Sequence, residues 1–225
     1  MWCIPPKQNA EFVSRMEDVL TVYARPYDQD YPVVCMDEKP FQLLDERYAP
    51  IPMSQINHTE KYDCEYEKRG TCSIFLFTEP LAAWRQALAF AQRTRKEWAH
   101  QVKWLLDEQY PKVKKVVLVM DNLNTHSISS LYTHFPPEEA FRLAQRLEIH
   151  YTPKHGSWLN IAELELSAMT TECLGKRRIP SIEHLNRELS AWHTTRNTNQ
   201  KGVDWQFNTT DARIKLKHIY PIVMF

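Results

Sequence analysis

An α/β fold with a mixed sheet flanked by helices is what this sequence predicts, and three observations predict it. Two short uninterrupted apolar runs, Pro32-Val33-Val34-Cys35-Met36 and Val116–Met120, have the character of strands buried on both faces. Stretches of helical periodicity separate and follow them, so crossovers rather than tight turns join the strands. Between them, Arg69-Gly70 parts two segments, residues 62–68 and 71–78, that pair as an expected β-hairpin.

Taken in order, residues 10–23 put Phe12, Met16, Val19 and Tyr23 at helical spacing, an amphipathic helix within a lead-in over residues 1–30. The first buried strand is expected to end at Asp37-Glu38, and the hairpin follows. Thr94-x-x-Glu97 is a capping-box signal, ahead of Trp98, Val102, Leu105 and Leu106 on one helical face. The second buried strand ends at Asp121-Asn122. Residues 138–147 form a helix, 148–152 a short strand, 153–160 a loop and 161–174 another helix. After Pro180, Ile182, Leu185, Leu189 and Trp192 mark a further amphipathic helix. The expected organisation is a main domain over residues 31–178 with a helical C-terminal extension, 179–225, packed on it. Chemistry in such sheets gathers outside the carboxyl ends of the strands, where Asp37 and Asp121 stand.

Composition narrows the function classes. The chain of 225 residues is long enough for one large domain, and its apolar and charged fractions are those of a soluble globular protein. Its longest apolar runs are far too short to span a bilayer, and no basic segment followed by an apolar one opens it, so a cytoplasmic protein is expected. Five cysteines, none in a C-x-x-C pair, suit reduced thiols better than a disulfide framework or a zinc site. Cys35 is expected to pack in its strand, and Trp84, Trp98, Trp104 and Trp192 to serve the core. Four glycines leave no glycine-rich phosphate loop. Net charge is zero, but residues 1–60 carry five Lys/Arg against ten Asp/Glu, and residues 150–225 carry ten against seven. The basic surplus, with Lys176-Arg177-Arg178 contiguous, is a possible phosphate-contacting face.

Two strand-end aspartates and a helix presenting Glu163 and Glu165 make an acidic constellation. Unit charges about 4 Å apart repel by about 4 kcal/mol at an effective dielectric near 20, so such a cluster stays ionised only if cations fill it. Oxygen ligands suit Mg²⁺ or Mn²⁺. A pair of such ions can clamp an in-line phosphoryl displacement. Periodicity leaves the choice between Glu163 and Glu165 open, since both fall in the first turn of their helix.

Three blocks resemble a known family. Val33-Val34-Cys35-Met36-Asp37-Glu38-Lys39-Pro40, Val119-Met120-Asp121-Asn122-Leu123-Asn124-Thr125-His126, and residues 150–163 with Trp158-Leu159-Asn160-Ile161-Ala162-Glu163 resemble the catalytic blocks of IS630/Tc1/mariner superfamily transposases. The closing Val203-Asp204-Trp205-Gln206-Phe207 and residues 211–216 resemble the bacterial IS630-like branch. The resemblance implies an RNase H-like DDE catalytic domain whose metal ligands are Asp37, Asp121 and Glu163, holding Mg²⁺ or Mn²⁺ as an expected two ions. Glu165 then becomes a helix-surface residue. It also implies double-stranded DNA as partner, both transposon ends and target, with hydrolysis at the ends, attack of the freed 3′-hydroxyl on target DNA, insertion at TA sites and self-association when active. Asn122, Asn124 and His126 are candidates for orienting Asp121 and its water. Lys154, His155, Ser157 and Asn160, before the Glu163 helix, are candidates for a second shell or a DNA phosphate contact.

The family's full-length proteins begin with helix-turn-helix modules, and the segment before residue 30 is too short to hold one. Two further functions are therefore weighed beside the enzyme. A truncated, non-cutting transposase remnant would act as a DNA-binding or regulatory protein; the intact Asp37, Asp121 and Glu163 count against it. Another RNase H-like nuclease is the third reading, and Trp158-Leu159-Asn160 counts against that.

Overall fold

The computed structural model describes residues 4–49, 51–55, 58–59, 61, 64–175, 177–200 and 202–222. Five strands form one sheet: β1 (Val33–Glu46), β2 (Tyr66–Glu79), β3 (Trp84–Phe90), β4 (Val116–Met120) and β5 (Leu147–Tyr151), in the spatial order β3-β2-β1-β4-β5. β1, β2 and β3 run antiparallel to their neighbours, while β4 and β5 continue the sheet parallel to β1. The sheet is therefore mixed, as expected, although its antiparallel part is not the hairpin that the sequence suggests.

The central strands lack alternation because both faces are covered. Val34, Met36, Phe75, Phe77, Leu118 and Met120 face one core, against α2 (Arg95–Trp104), α3 (Ile128–His134) and α4 (Pro137–Gln145). Cys35, Ile74, Leu76, Val117 and Val119 face the other, against α1 (Ala10–Tyr23), α5 (Ala162–Met169), α6 (Ile182–Thr198) and α7 (Thr209–Lys215). α1 and α7 thus share a core with the sheet and with α5. The Thr94 capping box forms, and Trp98, Val102, Leu105 and Leu106 are buried as their spacing predicts. Trp98 and Trp192 are buried and Trp84 and Trp104 partly so, while Cys35 is wholly enclosed.

Two strand expectations need correction. Arg69-Gly70 is not a hairpin turn: β2 runs straight through it. Gln42 pairs with Thr71 and Leu44 with Lys68, so Arg69 and Gly70 together oppose Leu43 in a β-bulge, and Gly70 takes φ +101°. A glycine with positive φ serves a bulge as readily as a turn, and only the partner strand decides between them. Residues 62 and 63 of the expected hairpin lie outside the described residues. β1, likewise, does not end at Asp37. Its parallel pairing with β4 stops at Cys35↔Val119, but β2 carries it on through Asp37↔Leu76 to Glu46. Asp37 therefore stands inside a strand and beyond the carboxyl end of the neighbouring β4.

β3 and α3 are additions to the sequence reading. On β3 the inward positions are Arg85, Ala87 and Ala89, so no apolar alternation announces it. Its open edge is covered by α6. The Asn186 amide exchanges two hydrogen bonds with the Ala89 backbone (2.7 and 3.1 Å), and Asn197 does the same with Arg85 (2.9 and 2.8 Å). His193 Nδ1 accepts from the Ala87 amide at 3.4 Å. Side chains thus take the place of a sixth strand and close an edge that could otherwise pair with another chain. No helix among the described residues is long and apolar enough to cross a membrane.

Candidate active site

The site lies where β1 passes the end of β4. Asp37 is mostly enclosed, and its Oδ1 accepts from the Glu38 amide at 2.7 Å. Because side chains alternate along a strand, Glu38 turns to the opposite face, where His126 meets it. His126 is 1% exposed; its Nε2 stands 3.0 Å from Glu38 Oε1 and its Nδ1 2.7 Å from Asp121 Oδ1. The ring stacks on Trp98 with centroids 6.0 Å apart, and Tyr151 donates to the His126 carbonyl at 2.8 Å. One imidazole thereby ties Asp121, just past β4, to β1. Burial opposes its charge, but the hydrogen bonds to Asp121 and Glu38 outweigh that and push it up to about 9. As an imidazolium it donates to Glu38 through Nε2 and stands in ion-pair contact with the Asp121 carboxylate through Nδ1. Glu38 was not among the residues the sequence singled out, and its adjacency to Asp37 carried no signal that it would face His126.

Glu163 enters from the other side, in the first turn of α5 and half-buried. Asn160 sets that helix against β1: its Nδ2 donates to the Met36 carbonyl at 2.8 Å, and its Oδ1 accepts from the Ala162 amide at 3.1 Å. The carbonyl it holds belongs to the residue before Asp37. Tyr23 of α1 adds a second anchor, donating its hydroxyl to the Leu159 carbonyl at 2.8 Å.

Asp37, Glu38, Lys39, Glu163, Ser167 and Thr171 border one cavity of about 390 Å³. Asp121, Asn122, Lys154, His155, Ser157 and Arg15 border an adjacent one of about 420 Å³. Asn122, Asn124, Lys154, His155 and Ser157 are exposed, and His126 and Asn160 are buried. Among the described residues no three of His, Cys, Asp and Glu stand together so that they could hold a metal ion by themselves. An open set of carboxylates suits magnesium-type ions, which keep several waters and bind through one or two carboxylates plus substrate phosphates.

Glu165 needs correction. It is not a surface residue but 2% exposed, gripped by Arg85 (Nε to Oε2, 3.0 Å) and by Arg196 (Nη2 to Oε1, 3.1 Å). The guanidiniums come from β3 and α6, elements distant in sequence, which is why helix position alone left Glu165 looking solvated.

Burial pushes the Asp37 carboxyl up to about 7, helped by the charges of Glu163, Asp121 and Glu38 and opposed by the Glu38 amide. Folding therefore favours the neutral acid. Its stabilising contribution is complete below the unfolded value near 3.9 and is lost as pH rises towards 7, a difference of at most about 4 kcal/mol. In chelator, Asp37→Asn is expected to melt with the wild type near pH 4 and above it near pH 8, by up to roughly 10 °C. Thermal melts of both proteins across that range check this. A variant that gains nothing at the alkaline end shows that Asp37 bears no uncompensated charge.

A family model described as DDE superfamily endonuclease matches residues 32–186, spanning Asp37, Asp121 and Glu163. No curated protein matches the chain in sequence. Among solved structures, the catalytic domain of Mos1 mariner transposase matches with a TM-score of 0.55 at 13% identity, covering 88% of this chain and 91% of that one. The Mos1 mariner paired-end complex with Mn matches with a TM-score of 0.56 at 13% identity over 88% of this chain. The Mos1 strand transfer complex matches with 0.58 at 14% identity, also over 88%. This chain covers 60% and 59% of the chains in those two complexes. At this identity the likeness shows the fold, an RNase H-like one.

Proposed function

Because the chain belongs to the DDE superfamily endonuclease family, we propose that it is the catalytic domain of a DNA transposase, cutting at transposon ends and joining the freed strand to target DNA at TA sites. Double-stranded DNA is its partner, and the active form self-associates. The IS630-like branch is the closest family placement that its closing motifs support. The observation that carries the reading is the Asp37 carboxyl, raised first by its burial and further by the charges of Glu163, Asp121 and Glu38 around it. A carboxylate cluster left under such repulsion is built to receive cations.

The donor set is oxygen only, which fits Mg²⁺ or Mn²⁺. Asp37 with Asp121, and Asp37 with Glu163, would hold two such ions. When bound, they supply activation of a hydroxyl nucleophile and neutralisation of charge on the phosphate. The chain's own residues do the rest. Asn160 fixes the carbonyl before Asp37 to the start of α5, so the Glu163 and Asp37 carboxylates keep one spacing. The His126 imidazolium, set between Glu38 and Asp121, braces the Asp121 carboxylate. Lys154, His155 and Ser157 offer hydrogen-bond donors to a DNA phosphate beside Asp121.

The test is cleavage of a labelled duplex carrying the element's own ends. Nicking is expected with Mg²⁺ or Mn²⁺ and none with chelator. A wild type that binds DNA yet never cuts with either ion would sink the enzyme reading in favour of a non-cutting, DNA-binding role.

A further inference from the structure

The cavity beside Asp121 is more than a gap between loops. One wall is the turn that leaves β5, and its conformation is specified at two successive positions. His155 adopts φ +64°, a left-handed conformation costly for a residue with a side chain. Gly156 follows, where a Cβ would meet the Pro153 ring at 2.5 Å, so only glycine lets the turn close. The Gly156 amide donates to the Pro153 carbonyl at 2.8 Å and the Thr152 amide to Met120 at 2.9 Å, fixing the turn to the end of β4. The outcome is that Lys154 and His155 stand exposed beside Asp121 in a preset arrangement.

The opposite wall is α1, which lies outside the segment matched by the family model. It contributes Arg15, whose guanidinium sits 5.9 Å from the centroid of the Tyr151 ring and 3.5 Å from an exposed Glu11. Such an exposed i,i+4 pair is worth a few tenths of a kcal/mol at most and yields readily to a phosphate. Elsewhere several members of the basic surplus are spent on ion pairs within the chain. Arg177 pairs with Glu188, Arg178 with Glu46, and Arg213 with Glu17. Lys154 carries no ion pair among the described residues. Part of the charge that sequence counting assigns to the C-terminal third is thus neutralised, while Lys215 and Lys217 stay exposed, and the charge at this cleft is available.

We propose that the cleft between α1 and the 153–157 turn is a phosphate-binding subsite, in which Arg15 and Lys154 hold the DNA backbone next to the scissile bond. This rests on the transposase reading and extends it to a helix that none of the catalytic motifs includes. Its volume of about 420 Å³ suits a nucleotide-sized group rather than a whole duplex. α1 then has a substrate role besides its packing role.

Salt dependence isolates such contacts, because each phosphate neutralised adds about 0.9 to the slope of log K against log salt for duplex DNA. Binding of a labelled duplex in chelator would be titrated at several salt concentrations for the wild type, Arg15→Gln, Lys154→Gln and their double variant. Lys215→Gln with Lys217→Gln serves as a control for the exposed C-terminal charges. The double cleft variant is expected to flatten the slope by roughly 1.8 and the control to leave it unchanged. Lys154 lies on an exposed turn, so its single variant keeps the test alive should Arg15→Gln disturb α1. An unchanged slope in the cleft variants, a larger loss in the control, or no salt-dependent binding by the wild type would overturn the proposal. Cleavage by the wild type, measured separately, tells the two readings apart. A chain that cuts but shows no cleft contribution refutes the subsite alone, and one that binds through the cleft but never cuts refutes the transposase reading alone.

Discussion

Replacing Asp37 or Asp121 by asparagine, or Glu163 by glutamine, is expected to lower divalent-ion-dependent DNA cleavage by at least about 10³-fold while leaving the protein folded. The magnitude follows from the several kcal/mol of transition-state charge stabilisation that bound ions provide, at about tenfold per 1.4 kcal/mol. An amide keeps the shape of the side chain but loses the charge that would hold the ion. For Asp37 and Glu163 the fold should not suffer, since removing one charge from a mutually repelling set relieves strain in the ion-free protein, whereas Asp121→Asn also takes a counter-ion from the buried His126 imidazolium and should melt somewhat lower. Added Mn²⁺ should raise the melting temperature of the wild type more than that of any of the three variants, through binding to the native state. Single-turnover cleavage and thermal melts of the same preparations separate the two effects. An amide variant that cuts at the wild-type rate would remove that carboxylate from the mechanism.

Glu165→Ala is expected to do the reverse, damaging stability directly by about 3–5 kcal/mol, the usual cost of leaving a buried charge without its partner. Arg85 is 1% exposed and meets Glu165 with Nε at 3.0 Å; Arg196 also bridges Glu165 to Glu172, at 2.9 Å. Truncating Glu165 strands the Arg85 guanidinium between β3 and α5, with a loss in melting temperature of roughly 10 °C or more. The double variant Glu165→Met with Arg85→Met removes both charges, leaves Arg196 with Glu172, and should recover most of the loss, because apolar pairs of similar volume replace buried ion pairs at little cost. Equilibrium denaturation of the single and double variants checks this. A single variant as stable as the wild type would mean that the Arg85–Glu165 pair is not a structural tie.

Glu163 and Glu165 differ by two residues and by everything that surrounds them. Helical periodicity cannot separate them, because each falls in the first turn of α5. The resemblance to a transposase motif favours Glu163, and in the structure Glu163 borders the same cavity as Asp37 while Glu165 disappears between two arginines. The Gly70 bulge has the same lesson. A glycine between two strand-like segments is compatible with a turn or with a bulge, and the pairing of Leu43 with two residues of β2 decides it. β3 escaped notice for a related reason: Arg85, Ala87 and Ala89 face inward, and their burial depends on α6, 97 to 112 residues later.

What the sequence by itself determined about this protein is whatever depends on neighbours a few residues away. That includes the uninterrupted apolar runs of β1 and β4, the capping box of α2, the helical faces of α1 and α6, and the short motifs that place Asp37, Asp121 and Glu163. Only the tertiary structure decided the distant partners: Glu38 against His126, Asn160 reaching the Met36 carbonyl, Arg15 facing the Lys154 turn, and Glu165 buried by Arg85 and Arg196. Those contacts join segments separated by dozens of residues or more. A buried polar group is stable only when its partner is already in place, and nothing in the local spacing of either residue records where the other will be.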